Sequence, residues 1–132
     1  MAVGEGDDRR ALEGAWVPVA ALVGGQPLEL AELRVRYLLL EGGGYRIIDR
    51  SNRVVDSGHY RLNADATPSA IDIVGEHGAN AGRTLRALYD LDGDELTLCY
   101  DVEGGARPVT LAPRPGAAQL LITYERRAIG FA

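Results

Sequence analysis

Short apolar or alternating segments, separated by glycine, asparagine, aspartate and proline at fairly even spacing, run through most of the chain. This pattern is typical of an all-β sandwich or barrel. We predict eight strands, at residues 14–23, 33–40, 45–50, 54–62, 69–75, 84–91, 95–102 and 119–127. Eight antiparallel strands in up-and-down order can close into a barrel, which removes the exposed edges of an open sheet. The predicted fold is therefore all-β, an eight-stranded antiparallel up-and-down β-barrel.

The segments between the predicted strands carry turn and loop signals. Pro27 opens "PLELAEL" and suits the first position of a helix, so one short helix is expected near 27–33. The glycine-rich segment 75–82, "GEHGANAG", is interpreted as a loop at the barrel mouth. Residues 1–10 are charged and glycine-rich and are expected to be a disordered tail. The remaining residues, 11–132, have the length of a single domain.

Alternation within the strands predicts which side chains face the interior. In 33–40, one face carries Tyr37 and Leu39, and the opposite face carries Arg34 and Arg36. Cys99 is expected to face outward or to pack as a small apolar residue. Over the whole barrel the predicted inward residues are Tyr37, Tyr60, Leu62, Leu98, Tyr100, Ile122 and Tyr124, with Tyr45 and Tyr89 left open.

The tyrosine content gives this interior a chemical character. The chain has 6 Tyr against 1 Phe and 1 Trp, and a buried phenol needs a hydrogen-bond partner. Several phenols in one cavity indicate a polar-lined pocket, whereas phenols at the rims would simply reach water. The residues predicted to contact a ligand are Tyr37, Tyr60, Tyr100 and Tyr124, with Arg36 and Arg86 as polar contacts at the rim.

Charge and composition exclude several classes of partner and mechanism. The formal net charge of −5 disfavours nucleic acid and anionic membranes. All basic residues are arginine, so lysine-dependent mechanisms are excluded. Cys99 is the only cysteine, so no intramolecular disulfide can form. Because we also find neither a signal-peptide pattern nor an apolar run long enough to cross a bilayer, a cytoplasmic location is expected.

No motif in the chain predicts a catalytic residue, a metal site or a cofactor. In "DLDGDE", residues 90–95, the glycine falls in the wrong place for a calcium loop, and a solvated hairpin turn is favoured. Ser57 and His59 share a strand face, but residues two apart on a strand are about 7 Å apart, beyond hydrogen-bond reach. His59 and His77 alone provide too few ligands for a metal.

Several short segments, taken in order, resemble a known family. They are "LEGAW" at 12–16, "SGHYRLN", "AIDI", "LYDLDGDELTLCYD" and a closing "LLITYER". Over residues 11–126 the chain resembles a family of small bacterial lipocalin-like, calycin-type domains. The resemblance implies a barrel in which Gly14 and Trp16 open the first strand. It also implies that the indole plugs the closed end and that Arg126 or Arg127 packs across it.

Three functions are compatible with such a barrel. The first is binding of one small, mostly apolar molecule in a tyrosine-lined interior. The second is a cofactor-free cyclase or isomerase that folds a flexible substrate, since catalysis by proximity and orientation leaves almost no residue signature. The third is a protein-interaction domain with a filled core. A monomer or a homodimer would suit any of the three.

Overall fold

The computed structural model describes residues 5–112, 115–116 and 118–128, with side chains from residue 7 onward. One α-helix, one 3-10 helix and nine strands cover most of this range. Their bounds are α1 Glu5–Leu12, β1 Gly14–Val23, β2 Gln26–Pro27, the 3-10 helix Leu30–Leu33, β3 Tyr37–Glu41, β4 Gly44–Ile48, β5 Val54–Asn63, β6 Ala70–Gly78, β7 Thr84–Asp92, β8 Glu95–Asp101 and β9 Gln119–Arg127. Within the described part of the chain, no helix has the length and apolar character needed to span a membrane.

The strands form a closed antiparallel barrel. From β3 to β9 each strand pairs with the next, while β1 pairs with both β3 and β9 and so joins the two ends of the sheet. The short β2 only extends one end of β1. The pairing of β1 with β9 shifts register between Pro18 and Ala20, at the proline whose missing N–H suggests a bulge. The predicted eight-stranded antiparallel barrel is confirmed.

Side chains that alternate along the strands fill the interior. On β9, Leu120, Ile122 and Tyr124 are buried, while the residues between them are half-buried. The main buried core also includes Trp16, Leu38, Leu40, Tyr45, Tyr60, Leu62, Ile71, Ala87, Tyr89, Leu96 and Leu98. Every strand of the barrel contributes to this set, so the core lies inside the cylinder.

The predicted face of the second strand is wrong. Arg34 adopts a left-handed conformation, with φ of 56°, and ends the 3-10 helix, so the strand begins only at Tyr37. Leu38 and Leu40 are buried on the inner face. Because side chains alternate with a period of two, Tyr37 and Leu39 then lie on the outer face.

Two predictions for the connecting segments need correction. The short helix near 27–33 is present but covers only Leu30–Leu33, because Pro27 pairs with Leu22 in β2. Strand β6 continues to Gly78, so the first half of the loop predicted at 75–82 is strand.

The tail predicted to be disordered is helical from Glu5, because helix α1 packs on one end of the barrel. Leu12 is fully buried there, and Asp8 accepts a hydrogen bond from the Tyr89 hydroxyl. Residues 1–4 lie outside the described range.

Trp16 closes the barrel end that carries α1. The indole is fully buried, and its Nε1 donates a hydrogen bond to the Leu12 carbonyl at 2.8 Å. The Arg126 guanidinium lies 4.3 Å from the ring centroid and donates to the carbonyls of Ala11 and Glu13. This cation-π stack joins the last strand to the first strand and to α1.

Gly14 makes that stack possible. Its φ is +133°, which L side chains rarely adopt, and a Cβ there would lie 2.9 Å from a guanidinium nitrogen of Arg126. The glycine therefore leaves the space through which the arginine reaches the indole.

We predict that Arg126→Ala lowers the free energy of unfolding by about 2–3 kcal/mol, because it removes the cation-π contact and leaves two carbonyls without their donor. Urea unfolding, followed by the fluorescence of the single tryptophan, measures the change. Arg127→Ala is the control: among the described residues the Arg127 side chain pairs with neighbouring Glu125, and its loss should cost less than about 0.5 kcal/mol. Equal losses in the two variants would contradict the role of the stack.

Candidate functional site: the barrel interior and its mouth

The barrel contains an inner cavity beneath a wider chamber at the end opposite α1. The inner cavity has a volume of about 60 Å³, enough for a few water molecules. The chamber, called here the mouth chamber, opens to solvent and measures about 650 Å³. Both spaces are lined by Ile47, Asp56, Asn80, Tyr100 and Tyr124. These five side chains form the junction between the two spaces.

The inner cavity has an apolar floor and wall. Leu12 of α1 forms part of its floor, and strands β3 to β8 supply most of the wall. The apolar lining residues are Leu12, Leu38, Leu40, Ile47, Ile71, Ile73, Leu85, Leu96 and Leu98. Such a surface suits the apolar body of a ligand and leaves specificity to the few polar groups nearby.

The mouth chamber has a basic rim. It is lined by Arg34 after the 3-10 helix and by Arg50 and Arg53 in the turn between β4 and β5. Arg50 donates to the carbonyls of Leu30 and Ala31, and Arg53 forms a 3.4 Å ion pair with Asp49. The Arg53 backbone amide, followed by that of Ser51, lowers the pKa of Asp49. Arg50 therefore ties the turn to the 3-10 helix, and Arg53 stabilises the turn itself.

Asp56 is a buried carboxylate at the junction. Its side chain points into the barrel and the residue is only 6% exposed. One carboxylate oxygen accepts a hydrogen bond from the Tyr45 hydroxyl at 2.9 Å, and the other accepts one from the Asn80 amide at 2.7 Å. Within the described residues no arginine or histidine forms an ion pair with it. The carboxylate is thus held by two neutral donors.

A glycine explains how Tyr45 reaches Asp56. Gly58 lies directly across from Tyr45 in the β4–β5 pairing, and a Cβ at Gly58 would lie 2.9 Å from the tyrosine ring. The same Cβ would lie 2.0 Å from the Val74 carbonyl oxygen. The missing side chain lets the ring lie over the strand, so that its hydroxyl extends to Asp56.

A second close backbone approach positions Asn80. A Cβ at Gly75 would lie 1.9 Å from the Asn80 carbonyl oxygen, so the turn after β6 needs glycine there. The turn is fixed by hydrogen bonds from Gly75 to Arg83 and from Arg83 to Asn80. The Ala79 amide also donates to the Val55 carbonyl, which brings the turn onto β5 beside Asp56.

The phenols of the interior are protonated at neutral pH. Burial, followed by the hydrogen bond to Asp56, raises the pKa of Tyr45. Burial, followed by the charge of Asp56, raises the pKa of Tyr100 to about 12. Burial also raises the pKa values of Tyr60 and Tyr124. Each of these hydroxyls therefore carries its proton, and that of Tyr45 already donates a hydrogen bond to Asp56.

Tyr60 differs from Tyr100 and Tyr124 in the complete burial of its hydroxyl. The residue is 2% exposed, and its hydroxyl has no hydrogen-bond partner among the described residues. A buried hydroxyl without a partner carries a desolvation cost of about 1–3 kcal/mol.

The residues predicted to contact a ligand separate into two groups. Tyr60, Tyr100 and Tyr124 all line the inner cavity. Tyr37 lies on the outer face with the Arg36 guanidinium 5.0 Å from its ring centroid.

The two arginines predicted at the rim are also placed elsewhere. Arg36 is exposed and donates to Asn52 at 2.8 Å. Arg86 is exposed on the outer face of β7, paired across from Asp72. Neither arginine lines the mouth chamber, because Arg36 lies just before β3 and turns toward Asn52, while Arg86 lies on an outer strand face.

The sequence analysis missed Asp56 and Asn80 as site residues. Counting back from the inward Tyr60 in steps of two leads through Gly58 to Asp56, so the alternation of β5 carried the signal for Asp56. Asn80 lies in a turn, and no periodicity applies to it. Tyr45, which the alternation left open, is buried inside the barrel.

The other candidate groups lie outside the barrel cavity or are unsuited to chemistry. His59 faces Glu76 across 2.8 Å, with both side chains about half exposed. Cys99 is fully buried, and burial raises the pKa of its thiol, which makes it a poor nucleophile. No three metal-ligating side chains come together in the ranges that the structure describes.

We predict opposite stability effects for two tyrosine variants. Tyr45→Phe removes a donor from a buried carboxylate and should lower the free energy of unfolding by about 1.5–3 kcal/mol. Tyr60→Phe removes a hydroxyl that has no partner and should leave the stability unchanged or raise it by about 1 kcal/mol. Thermal and urea unfolding of both variants measure the difference. A loss of the same size in both would contradict the described hydrogen bonding.

Alkaline pH should unfold the barrel. The ordinary pKa of tyrosine is about 10, and a folded-state pKa raised above it means that the unfolded chain loses its protons first. The stability contributed by Tyr100 is therefore fully present below about pH 10 and is lost as the pH rises through about 12. Tyrosinate absorbance and far-ultraviolet circular dichroism should change together.

Tyr100→Phe removes one of these groups and should move the alkaline transition to higher pH. Ionisation of all the tyrosines near pH 10 with unchanged circular dichroism would show that the phenols are accessible in the folded protein.

Comparisons of the chain with protein-family models, with curated proteins and with solved structures found no match. The resemblance to lipocalin-like domains therefore stays a prediction from the sequence.

Proposed function

We propose that the protein is a lipocalin-like barrel that binds one small, mostly apolar molecule in its tyrosine-lined interior. The observation that carries this proposal is the pair of connected spaces, an apolar inner cavity beneath a mouth chamber of about 650 Å³. Small-molecule sites have volumes of about 300–1,000 Å³, with apolar walls and a few convergent polar groups. The mouth chamber matches that range in volume, and the inner cavity of about 60 Å³ continues it inward with apolar walls.

The alternative of an interaction domain with a filled core is less well supported, because the interior leaves space at both levels. A cofactor-free cyclase or isomerase would use the same pocket. Mass analysis of any captured molecule before and after incubation tests for such an enzyme, since turnover would change its structure while binding would not.

The binding proposal predicts that filling the cavity abolishes ligand uptake. Ile73 of β6 lines the inner cavity, whereas the neighbouring Val74 lies on the outer face. Ile73→Trp should weaken binding of the neutral dye N-phenyl-1-naphthylamine by about tenfold or more, equivalent to about 1.4 kcal/mol. Val74→Trp, the matched control, should change the affinity by less than about twofold.

Dye fluorescence titration measures the two affinities, with thermal unfolding to show that each variant is folded. Absence of dye binding by the natural sequence would overturn the proposal. Equal binding by the two variants would place the dye outside the barrel and would also overturn it.

A further inference from the structure

The Asp56 carboxylate is buried, and no cation among the described residues pairs with it. Both of its oxygens accept hydrogen bonds from neutral donors, Tyr45 and Asn80, and an ionised carboxylate is the form that only accepts. Removing a carboxylate from water without a counter-ion is costly. The carboxylate has about four acceptor positions, and the two hydrogen bonds use half of them. Acceptor capacity therefore remains for a ligand group.

The surroundings of Asp56 are aromatic. Tyr45, Tyr100 and Tyr124 line the same cavity as the carboxylate, and the faces of aromatic rings attract cations. A carboxylate beside aromatic rings is chemically suited to an ammonium group, which offers donors and a positive charge. An anionic head group would be repelled at this position.

An alkyl chain alone would leave the Asp56 carboxylate uncompensated. A ligand that carries a donor and a positive charge at the junction would compensate it.

The basic rim offers a different head-group site, and its geometry makes that site weaker. Arg34 is exposed to solvent. Arg53 already pairs with Asp49, and Arg50 already donates to two carbonyls. Both lie in the turn at the open end of the barrel, where water competes for the charge. Asp56 is the buried charge and carries the larger penalty when it is left without a partner.

We propose that Asp56 recognises a protonated amine, so that the ligand is an amphiphile with an apolar body and one cationic nitrogen. This inference rests on the proposed binding function and specifies its ligand class. The ammonium group lies at the junction, donates to Asp56 and faces the rings of Tyr100 and Tyr124. The apolar body lies in the mouth chamber against Ile47, Leu120 and Ile122, since the inner cavity of about 60 Å³ has room only for a small group.

The test compares three amphiphiles of equal chain length, decylamine, decanol and decanoate, as competitors of N-phenyl-1-naphthylamine at neutral pH. A primary alkylamine is protonated under these conditions. Decylamine should bind about tenfold more tightly than decanol, and decanoate should bind more weakly than either. Asp56→Asn should remove the preference for the amine and leave the affinity for decanol within about twofold.

Asp90→Asn is the matched control, because Asp90 is exposed on the outer face of β7. It should keep the preference for the amine. If Asp56→Asn fails to fold, the ranking of the three competitors on the natural sequence decides the question.

The outcomes separate this inference from the proposed function. Equal competition by the three amphiphiles, tightest binding of decanoate, or no competition overturns amine recognition, while dye binding still supports a ligand-binding barrel. A preference for the amine that survives in Asp56→Asn also overturns it. Absence of both dye binding and amphiphile binding overturns both proposals.

Discussion

Closure of the sheet by β1 and β9 is the constraint on which the rest of the structure depends. The two strands pair from Ala15 with Arg127 to Val23 with Leu120, and this pairing turns an open sheet into a cylinder with an interior. It also brings Arg126 of the last strand over Trp16 of the first. The pairing of β1 with β9 thus closes the barrel, and the Arg126–Trp16 contact blocks one end. The opposite end is left as the entrance.

Closure also fixes which polar groups must be satisfied inside the protein. Asp56 would be a simple surface carboxylate on the outer face of β5, but on the inner face it needs the hydroxyl of Tyr45 and the amide of Asn80. Those two donors depend on Gly58 and Gly75, where a side chain would collide with backbone. The polar junction is therefore supported by the backbone geometry of neighbouring strands, as a preorganised binding site requires.

The barrel interior combines an apolar wall with polar groups whose hydrogen-bonding capacity the protein does not fully use. Among the described residues, the Tyr60 hydroxyl has no hydrogen-bond partner and the Asp56 carboxylate has no cation. A core optimised only for stability would replace such groups with apolar side chains. The presence of Asp56 beside a cavity that leads to solvent is the physical basis for proposing a ligand that carries its own polar group.

The sequence by itself determined the strand number, the closed barrel and the inward positions of Tyr60, Tyr100 and Tyr124, because alternation and turn residues act locally. It could not determine where β3 begins, since the left-handed Arg34 resets the alternation and turns Tyr37 outward. Helix α1 is ordered by the barrel end on which it packs, and Asn80 reaches Asp56 across 24 positions. Tertiary structure alone decided these features, because each depends on contacts between segments that are far apart in the chain.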